Sequence, residues 1–156
     1  MKVGIIVHSQ TGNTLMVAQK IKEKLLTAGH AVSLLKVSAL NDEEGDAQKV
    51  RLKEKPDIDG YDAVLFGAPV RGFSLSPVMQ AYLSQIGSLS GKKTACFLTQ
   101  QFPHPWMGGN RAMKQMLAFC GGKGAAVYGT GIVNWSNAEN REKLIHAVVG
   151  KLGVLA

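Results

Sequence analysis

Five short apolar runs alternate with amphipathic segments along the chain, and this alternation constrains the fold more than any other feature of the sequence. Each run is rich in branched apolar residues and is followed by polar or turn-forming residues. Such runs are typical of strands that are buried on both faces of a sheet. Strands are therefore predicted over residues 3–7, 31–37, 61–67, 94–99 and 125–133.

The segments between these runs carry helix signals. Apolar residues recur at steps of three or four over residues 15–28, which predicts an amphipathic helix. Three further helices are predicted over residues 76–86, 111–120 and 136–152. The first of these begins with an N-cap pair, Ser76 and Pro77. The last begins with a capping box formed by Ser136 and Glu139.

A regular alternation of strands and helices produces a parallel sheet with right-handed crossovers and with helices on both faces. We therefore predict a single α/β domain over residues 1–156, a three-layer, doubly wound domain with a five-stranded parallel sheet. The polar residues 41–55 are predicted to form a loop with a weak helix. Ligands of such folds bind beyond the carboxyl ends of the strands. The candidate site therefore consists of the loops at residues 8–14, 68–76 and 100–110.

The distribution of charge excludes one kind of chemistry and favours another. The formal net charge is +7, and residues 63–138 contain six Lys or Arg residues but no Asp or Glu. Catalysis by a pair of carboxylates is hard to accommodate in such a stretch. An anionic partner is favoured instead, either an acidic redox partner protein or NAD(P)H. Neither a nucleic acid nor a membrane is predicted as a partner, and the oligomeric state is left open.

Two cysteines, Cys96 and Cys120, lie far apart in the sequence without a C-x-x-C motif or a histidine at ligand spacing. This predicts two buried thiols in a reducing compartment, with neither a metal site nor a disulfide. The apolar run at residues 3–7 is too short for a signal peptide, and no apolar stretch is long enough to cross a bilayer. We therefore expect a cytoplasmic protein.

The loop after the first predicted strand has the composition of a phosphate-binding loop. It reads S-Q-T-G-N-T over residues 9–14 and leads directly into a predicted helix. Its hydroxyls can donate to oxyanions, and the free N–H groups at the start of the helix point into the loop. The loop has no lysine, so the phosphate loop of nucleoside triphosphatases does not match. An alternative interpretation is that Asn13 or Thr14 merely caps the helix.

The S-x-T-G-N-T pattern closely resembles the phosphate loop of flavodoxins, and Y-D-A-V-L-F-G-A-P at residues 61–69 resembles the third strand and flavin-side loop of that family. The resemblance is to the short-chain type. It implies the strand order 2-1-3-4-5 with FMN at the junction of the first and third strands, an arrangement known from flavodoxins themselves. A receiver domain on the same fold is excluded, because His8 and Gly67 stand where its acidic residues are needed.

On this resemblance FMN is the cofactor, and its predicted binding residues come from all three loops. They are Ser9, Gln10, Thr11, Gly12, Asn13, Thr14, Ala68, Pro69, Val70, Arg71, Gly72, Phe73, Thr99, Gln100, Gln101, Phe102, Trp106 and Gly109. No catalytic residue is predicted. Val70 or Phe73 is expected on a face of the flavin ring, without the Trp or Tyr that carriers of the family usually place on each face.

Three side chains of these loops have alternative interpretations. Arg71 contacts the flavin or the 2′-phosphate of NADPH, or it is a solvated loop charge. Trp106 covers the flavin ring, or it fills a core gap or a subunit contact. His104 gives a proton to a reduced quinone or flavin, or it is an exposed histidine without a role.

The resemblance implies an FMN-binding redox protein that carries electrons between a reductase and an acceptor enzyme. One alternative is a small FMN-dependent NAD(P)H:quinone-type reductase. A second alternative is a binding module that keeps the fold and has lost redox chemistry. The phosphate loop favours the carrier, whereas the basic charge and the unusual flavin-side loops favour a departure from the usual acidic carrier.

Overall fold

A central sheet of five parallel strands organises the computed structural model, which describes residues 1–155. The strands are β1 (Lys2–Val7), β2 (Ala31–Lys36), β3 (Ser38–Ala39), β4 (Leu52–Glu54), β5 (Ala63–Arg71), β6 (Ser74–Leu75), β7 (Lys93–Gln100) and β8 (Ala126–Asn134). The helices are α1 (Asn13–Thr27), α2 (Pro77–Gln85), α3 (Gly109–Gly122) and α4 (Ala138–Leu152). The parallel strands are ordered β2-β1-β5-β7-β8, so the predicted fold class and strand order are confirmed.

Alternate residues of the central strands enter two separate hydrophobic cores, which explains why these strands are apolar throughout. On β5, Val64 and Phe66 belong to the core under α2 and α3, whereas Ala63 and Leu65 belong to the core under α1 and α4. All four side chains are fully buried. The sheet is therefore the middle layer of three, as a parallel sheet with crossovers on both sides requires.

The segment between the second and third parallel strands differs from its prediction. It contains a short antiparallel hairpin of β3 and β4 and a 3₁₀ turn, Ala47–Lys49, where a loop with a weak helix was expected. Asn41 connects the two arms of this hairpin, because its side chain donates to the carbonyl of Lys49 and accepts from the N–H of Arg51. Such side-chain bonds across ten residues leave no periodic signal in the sequence.

The start of α4 also differs from its prediction by one residue. The side chain of Asn137, and not that of Ser136, accepts the N–H of Asn140 at 2.9 Å. The helix ends at Leu152, as predicted. By contrast, α2 begins as predicted, because Ser76 accepts the N–H of Met79 at 3.2 Å. No helix within residues 1–155 has the length and hydropathy that a membrane span requires.

Candidate functional site

The edge at which the parallel strands end, called here the carboxyl edge, brings the three predicted loops together. The N–H of His8 donates to the carbonyl of Gly67 at 3.0 Å, which ties the end of β1 to β5. The hydroxyls of Thr14 and Thr99 lie 2.7 Å apart, which ties the start of α1 to the end of β7. These bonds follow from the parallel register, because strands that run in one direction end at the same edge.

The loop at residues 9–14 leaves backbone donors free at the start of α1. Gly12 occupies the N-cap position with φ of 90° and provides no side-chain cap, so the interpretation that Asn13 or Thr14 caps the helix is wrong. The N–H of Leu15 donates to the hydroxyl of Ser9 at 3.4 Å. The N–H groups of Asn13 and Thr14 have no acceptor within the described residues. Free donors and the positive end of the helix dipole suit a phosphate group.

The start of α3 is the second uncapped helix terminus at this edge. Gly108 takes the N-cap position with φ of 109°, again without a side-chain cap. A Cβ atom on Gly108 would lie 2.7 Å from the Cα of Phe73, so only glycine permits this close approach. The start of α3 therefore packs directly against the tip of the β5–β6 hairpin.

The segment at residues 68–73, which was predicted to be a loop beside the flavin, is a strand and a tight turn. Ala68 and Pro69 continue β5 and pair with β7, and the strand extends to Arg71 before it turns back into β6. Gly72 and Phe73 form the turn with φ of 55° and 62°. Two positive φ values are what a two-residue hairpin turn needs to match the twist of its strands. Pro69 is tolerated because the pairing of β5 with β1 ends at Gly67, so no ladder hydrogen bond to β1 is lost at Pro69.

Two buried amides hold the loop that follows β7. The Nε2 of Gln100 donates to the carbonyls of Phe102 at 2.9 Å and of His104 at 2.6 Å. The Nδ2 of Asn134 donates to the carbonyl of Pro103 at 2.9 Å. The oxygen atoms of both side-chain amides are buried and have no partner within residues 1–155. The amides therefore fix the backbone of this loop and leave its side chains at the surface.

Aromatic side chains project from the hairpin and from this loop. The rings of Phe73 and Phe102 stack with centroids 5.2 Å apart and planes 6° apart, and those of His104 and Trp106 stack at 5.6 Å and 7°. Trp106 is 72% exposed, so the interpretation that it fills a core gap is wrong. Two parallel ring pairs at the mouth of the site offer flat apolar surface to a planar ligand. The exposed Gln101 lies in the same loop.

A hydrogen-bonded cluster around His8 adds residues that the sequence analysis missed. The Nδ1 of His8 lies 2.9 Å from the hydroxyl of Ser76, and its Nε2 lies 2.8 Å from the Oδ1 of Asp42. The Oδ2 of Asp42 accepts from Gln10 at 2.7 Å, and its main-chain oxygen accepts from Arg71 at 2.9 Å. Arg71 is therefore held by a hydrogen bond and is not a solvated loop charge. A histidine directly after a buried strand was the only local signal of this cluster.

Charges in this cluster are set by burial and by hydrogen bonds. Burial lowers the pKa of His8, because it opposes the imidazolium more than the neighbouring carboxylate of Asp42 supports it. Partial burial of Asp42 opposes its ionisation, yet the hydrogen bonds from Gln10 and His8 outweigh that effect and lower the pKa of the carboxyl. At neutral pH the cluster therefore holds a neutral imidazole and a carboxylate.

Ser76, His8 and Asp42 have the composition of a hydrolytic triad but cannot act as one. Ser76 is fully buried, and its oxygen accepts the N–H of Met79 as the cap of α2. A substrate carbonyl has no access to that hydroxyl, which a nucleophile requires. Within residues 1–155 there is also no group of three or more His, Cys, Asp or Glu residues that could hold a metal ion.

Comparisons with known proteins agree with this arrangement. A family model described as a flavodoxin domain matches residues 4–105. The structure resembles oxidised flavodoxin 1 of Bacillus cereus with a TM-score of 0.66, 20% identity and complete coverage of both chains. It resembles two-electron reduced flavodoxin of Megasphaera elsdenii with a TM-score of 0.59 and 24% identity over 95% of this chain and 98% of that one. At these identities the likeness shows the fold.

A curated protein of Archaeoglobus fulgidus named NAD(P)H dehydrogenase (quinone) is also similar to part of the chain. The two sequences are 26% identical over 121 residues. The alignment covers 66% of the present chain and 63% of that protein, so the chain spans less than two thirds of its relative's length.

Proposed function

Because the chain belongs to the flavodoxin domain family, we propose that it binds FMN at the carboxyl edge and carries electrons between a reductase and an acceptor enzyme. One observation carries the proposal. The start of α1, at the end of β1, presents free backbone N–H groups and no acidic residue in its first turn. By contrast, α2 and α4 are capped by their own side chains, Ser76 and Asn137.

The loop at residues 9–14 would hold the phosphate. The hydroxyls of Ser9 and Thr11 and the N–H groups of Asn13 and Thr14 are the available donors. The side chain of Gln10 is engaged with Asp42, so it would contribute through its backbone. These donors fit a dianion, because hydrogen bonds to a charged group are among the stronger ones in proteins.

The hairpin and the loop after β7 would hold the flavin ring. Val70, Phe73, Phe102 and Trp106 supply apolar surface, and the start of α3 at Gly109 supplies backbone donors. Bound flavin supplies the electron-transfer chemistry, and the protein supplies orientation and the local field. Because the rings of Phe73 and Phe102 stack on each other, a flavin ring between them would require these two rings to separate.

A titration tests FMN binding. We expect the apo-protein to bind one FMN and to bind riboflavin, which lacks the phosphate, far more weakly. Replacing Ser9 with alanine removes one donor to a charged group, a loss of about 1.5–3 kcal/mol or roughly tenfold to a hundredfold in affinity. Ser84→Ala is the matched control, because Ser84 is an exposed serine of α2 whose hydroxyl bonds within its own helix. Equal affinities for FMN and riboflavin would refute the proposal.

The reductase alternative has two supporting observations. The relative from Archaeoglobus fulgidus is named for NAD(P)H and quinone, and Arg71 and Arg111 are cations at or beside the site in a stretch without acidic residues. Anaerobic mixing of the FMN-loaded protein with NADPH in a stopped-flow instrument distinguishes the two functions. Fast bleaching of the flavin would indicate a reductase, and a lack of bleaching would indicate a carrier.

The net charge of +7 predicts how the protein meets its partner under either function. An anionic donor, NADPH or an acidic protein, is steered by a basic surface over a Debye length of about 8–10 Å. We therefore expect the rate of reduction to fall as ionic strength rises. The two buried free thiols, Cys96 and Cys120, agree with a reducing compartment, and we propose the cytoplasm as the place of function.

A further inference from the structure

We infer that His8 is a positioning residue that, through Asp42, holds Arg71 and the phosphate loop in the arrangement that binds the anionic cofactor. The inference rests on the proposed function, because it assigns these residues a role toward FMN. It concerns a buried histidine whose side chain is hydrogen-bonded to Ser76 and to Asp42.

The hydrogen bonds of His8 allow one arrangement of protons at neutral pH. The carboxylate of Asp42 can only accept, so the Nε2 of His8 carries the proton and Nδ1 accepts the hydroxyl proton of Ser76 at 2.9 Å, while the Ser76 oxygen accepts the N–H of Met79. A neutral imidazole that accepts at Nδ1 carries its proton on Nε2. That proton then points to the carboxylate of Asp42 at 2.8 Å. Every polar atom of the imidazole is thus satisfied, although His8 is only 2% exposed.

Asp42, which is bonded to His8, in turn accepts hydrogen bonds from two of the site loops. Its carboxylate accepts from Gln10 of the phosphate loop, and its carbonyl accepts from Arg71 of the β5–β6 hairpin. Asp42 lies in a polar connection outside the central sheet and its side chain is 35% exposed. Its bond to a buried imidazole is therefore what fixes its position relative to the carboxyl edge.

Several charged side chains lie around His8. Asp42 and Arg71 act on it directly, and Lys36, Glu43 and Glu54 line the hollow of about 380 Å³ beside it. A carboxylate next to a phosphate loop opposes an anion, so Asp42 cannot assist binding by its charge. Its contribution is geometric, because its carbonyl holds the guanidinium of Arg71 while its carboxylate holds Gln10 of the phosphate loop.

The protonation of His8 can be read in the apo-protein without flavin. We expect ¹⁵N NMR at pH 7 to show a neutral imidazole with its proton on Nε2. In Asp42→Asn the pKa of His8 should fall further, since the carboxylate is the group that supports the imidazolium. A proton on Nδ1, or a pKa of His8 that does not move in this variant, would overturn the inference.

Affinity for FMN tests the positioning role. We expect His8→Leu, which keeps the volume and removes both hydrogen bonds, to weaken FMN binding about tenfold. His8→Gln should keep most of the affinity, because its amide can still donate to Asp42. If His8→Leu does not fold, Asp42→Ala breaks the same link from a partly exposed position and should also weaken FMN binding, by less than about tenfold because it removes a carboxylate that opposes the anion.

A double variant of His8 and Arg71 distinguishes a positioning role of His8 from a general loss of structure. Because Asp42 connects His8 to Arg71 as well as to Gln10 of the phosphate loop, the loss of FMN affinity in His8→Leu/Arg71→Ala should be smaller than the product of the two single losses. Multiplied effects, or a His8→Leu variant that binds FMN as the wild type does, would overturn the inference. Failure of the wild-type protein to bind FMN would instead refute the proposed function, and the NMR result would still decide the state of the cluster.

Discussion

The hydrogen bond between Thr14 and Thr99 allows a test of whether these two hydroxyls stabilise the fold or bind FMN. Both side chains were predicted to contact FMN, and the structure directs their hydroxyls at each other across 2.7 Å. They are only 1% and 3% exposed. If one hydroxyl is removed, the other is left buried without this partner, at a cost of about 1–3 kcal/mol. If both are replaced by valine, the contact becomes apolar and nearly neutral.

A double-mutant cycle measures this directly. We expect Thr14→Val and Thr99→Val each to lower the free energy of unfolding by about 1–3 kcal/mol, and the double variant to lower it by much less than the sum. Urea denaturation of the apo-proteins supplies the four values. Thr130→Val on β8 is the control for the preference of strands for valine, because no hydrogen bond of its hydroxyl is recorded within residues 1–155. Additive costs would refute the argument.

The same variants test whether the hydroxyls of Thr14 and Thr99 contribute to FMN binding. Because the backbone N–H of Thr14, and not its hydroxyl, is free at the start of α1, the double variant should bind FMN within about threefold of the wild type, which is below 1 kcal/mol. A loss of a hundredfold would show that the hydroxyl of Thr14 turns to the phosphate when FMN binds.

Three further outcomes are expected. Folding lowers the pKa of His8, so below about pH 6.5 the unfolded chain binds more protons than the folded protein. The free energy of unfolding should therefore fall as the pH falls, and urea denaturation between pH 5 and pH 8 should show this slope. The variant His8→Leu should flatten the slope. Cys96 and Cys120 are fully buried with sulfur atoms 3.9 Å apart, so a thiol reagent should label neither in the native protein and both after denaturation. Gly109→Ala would place a Cβ 2.3 Å from the Oε1 of Gln100, so it should destabilise the protein by about 1–3 kcal/mol and raise the mobility of the loop after β7, measured by urea denaturation and by hydrogen exchange.

The sequence predicted the layers of the fold because their signals are local. The run at residues 3–7 and the helix that follows it show their burial through period and composition alone, and β1 and α1 form where these signals indicate. Ser76 caps α2 for the same reason, since a cap bonds to a residue three positions away. Where such a signal was ambiguous, as at Ser136 and Asn137, the prediction was wrong by one residue.

The loop at residues 9–14 could also be predicted, because these residues are contiguous and lie between a strand and a helix. The hairpin of β5 and β6 could not be predicted, because Pro69 signals the end of a strand, whereas β5 continues to Arg71. Pairing with β7 on one side and with β6 on the other outweighs that local preference. The exposure of Trp106 could not be predicted from the sequence either, because the buried amide of Gln100 holds the backbone of this loop through a tertiary arrangement.

By itself, then, the sequence determined the order of strands and helices, the parallel sheet and the position of the loop at residues 9–14 between β1 and α1. Tertiary structure alone decided which polar side chains meet. His8 bonds to Asp42 and to Ser76 across 34 and 68 residues, and Thr14 bonds to Thr99 across 85. Such contacts depend on the register of neighbouring strands and on the path of the loops between them. Neither property is contained in the periodicity of a single segment, because periodicity reports which face is buried and not what lies opposite that face.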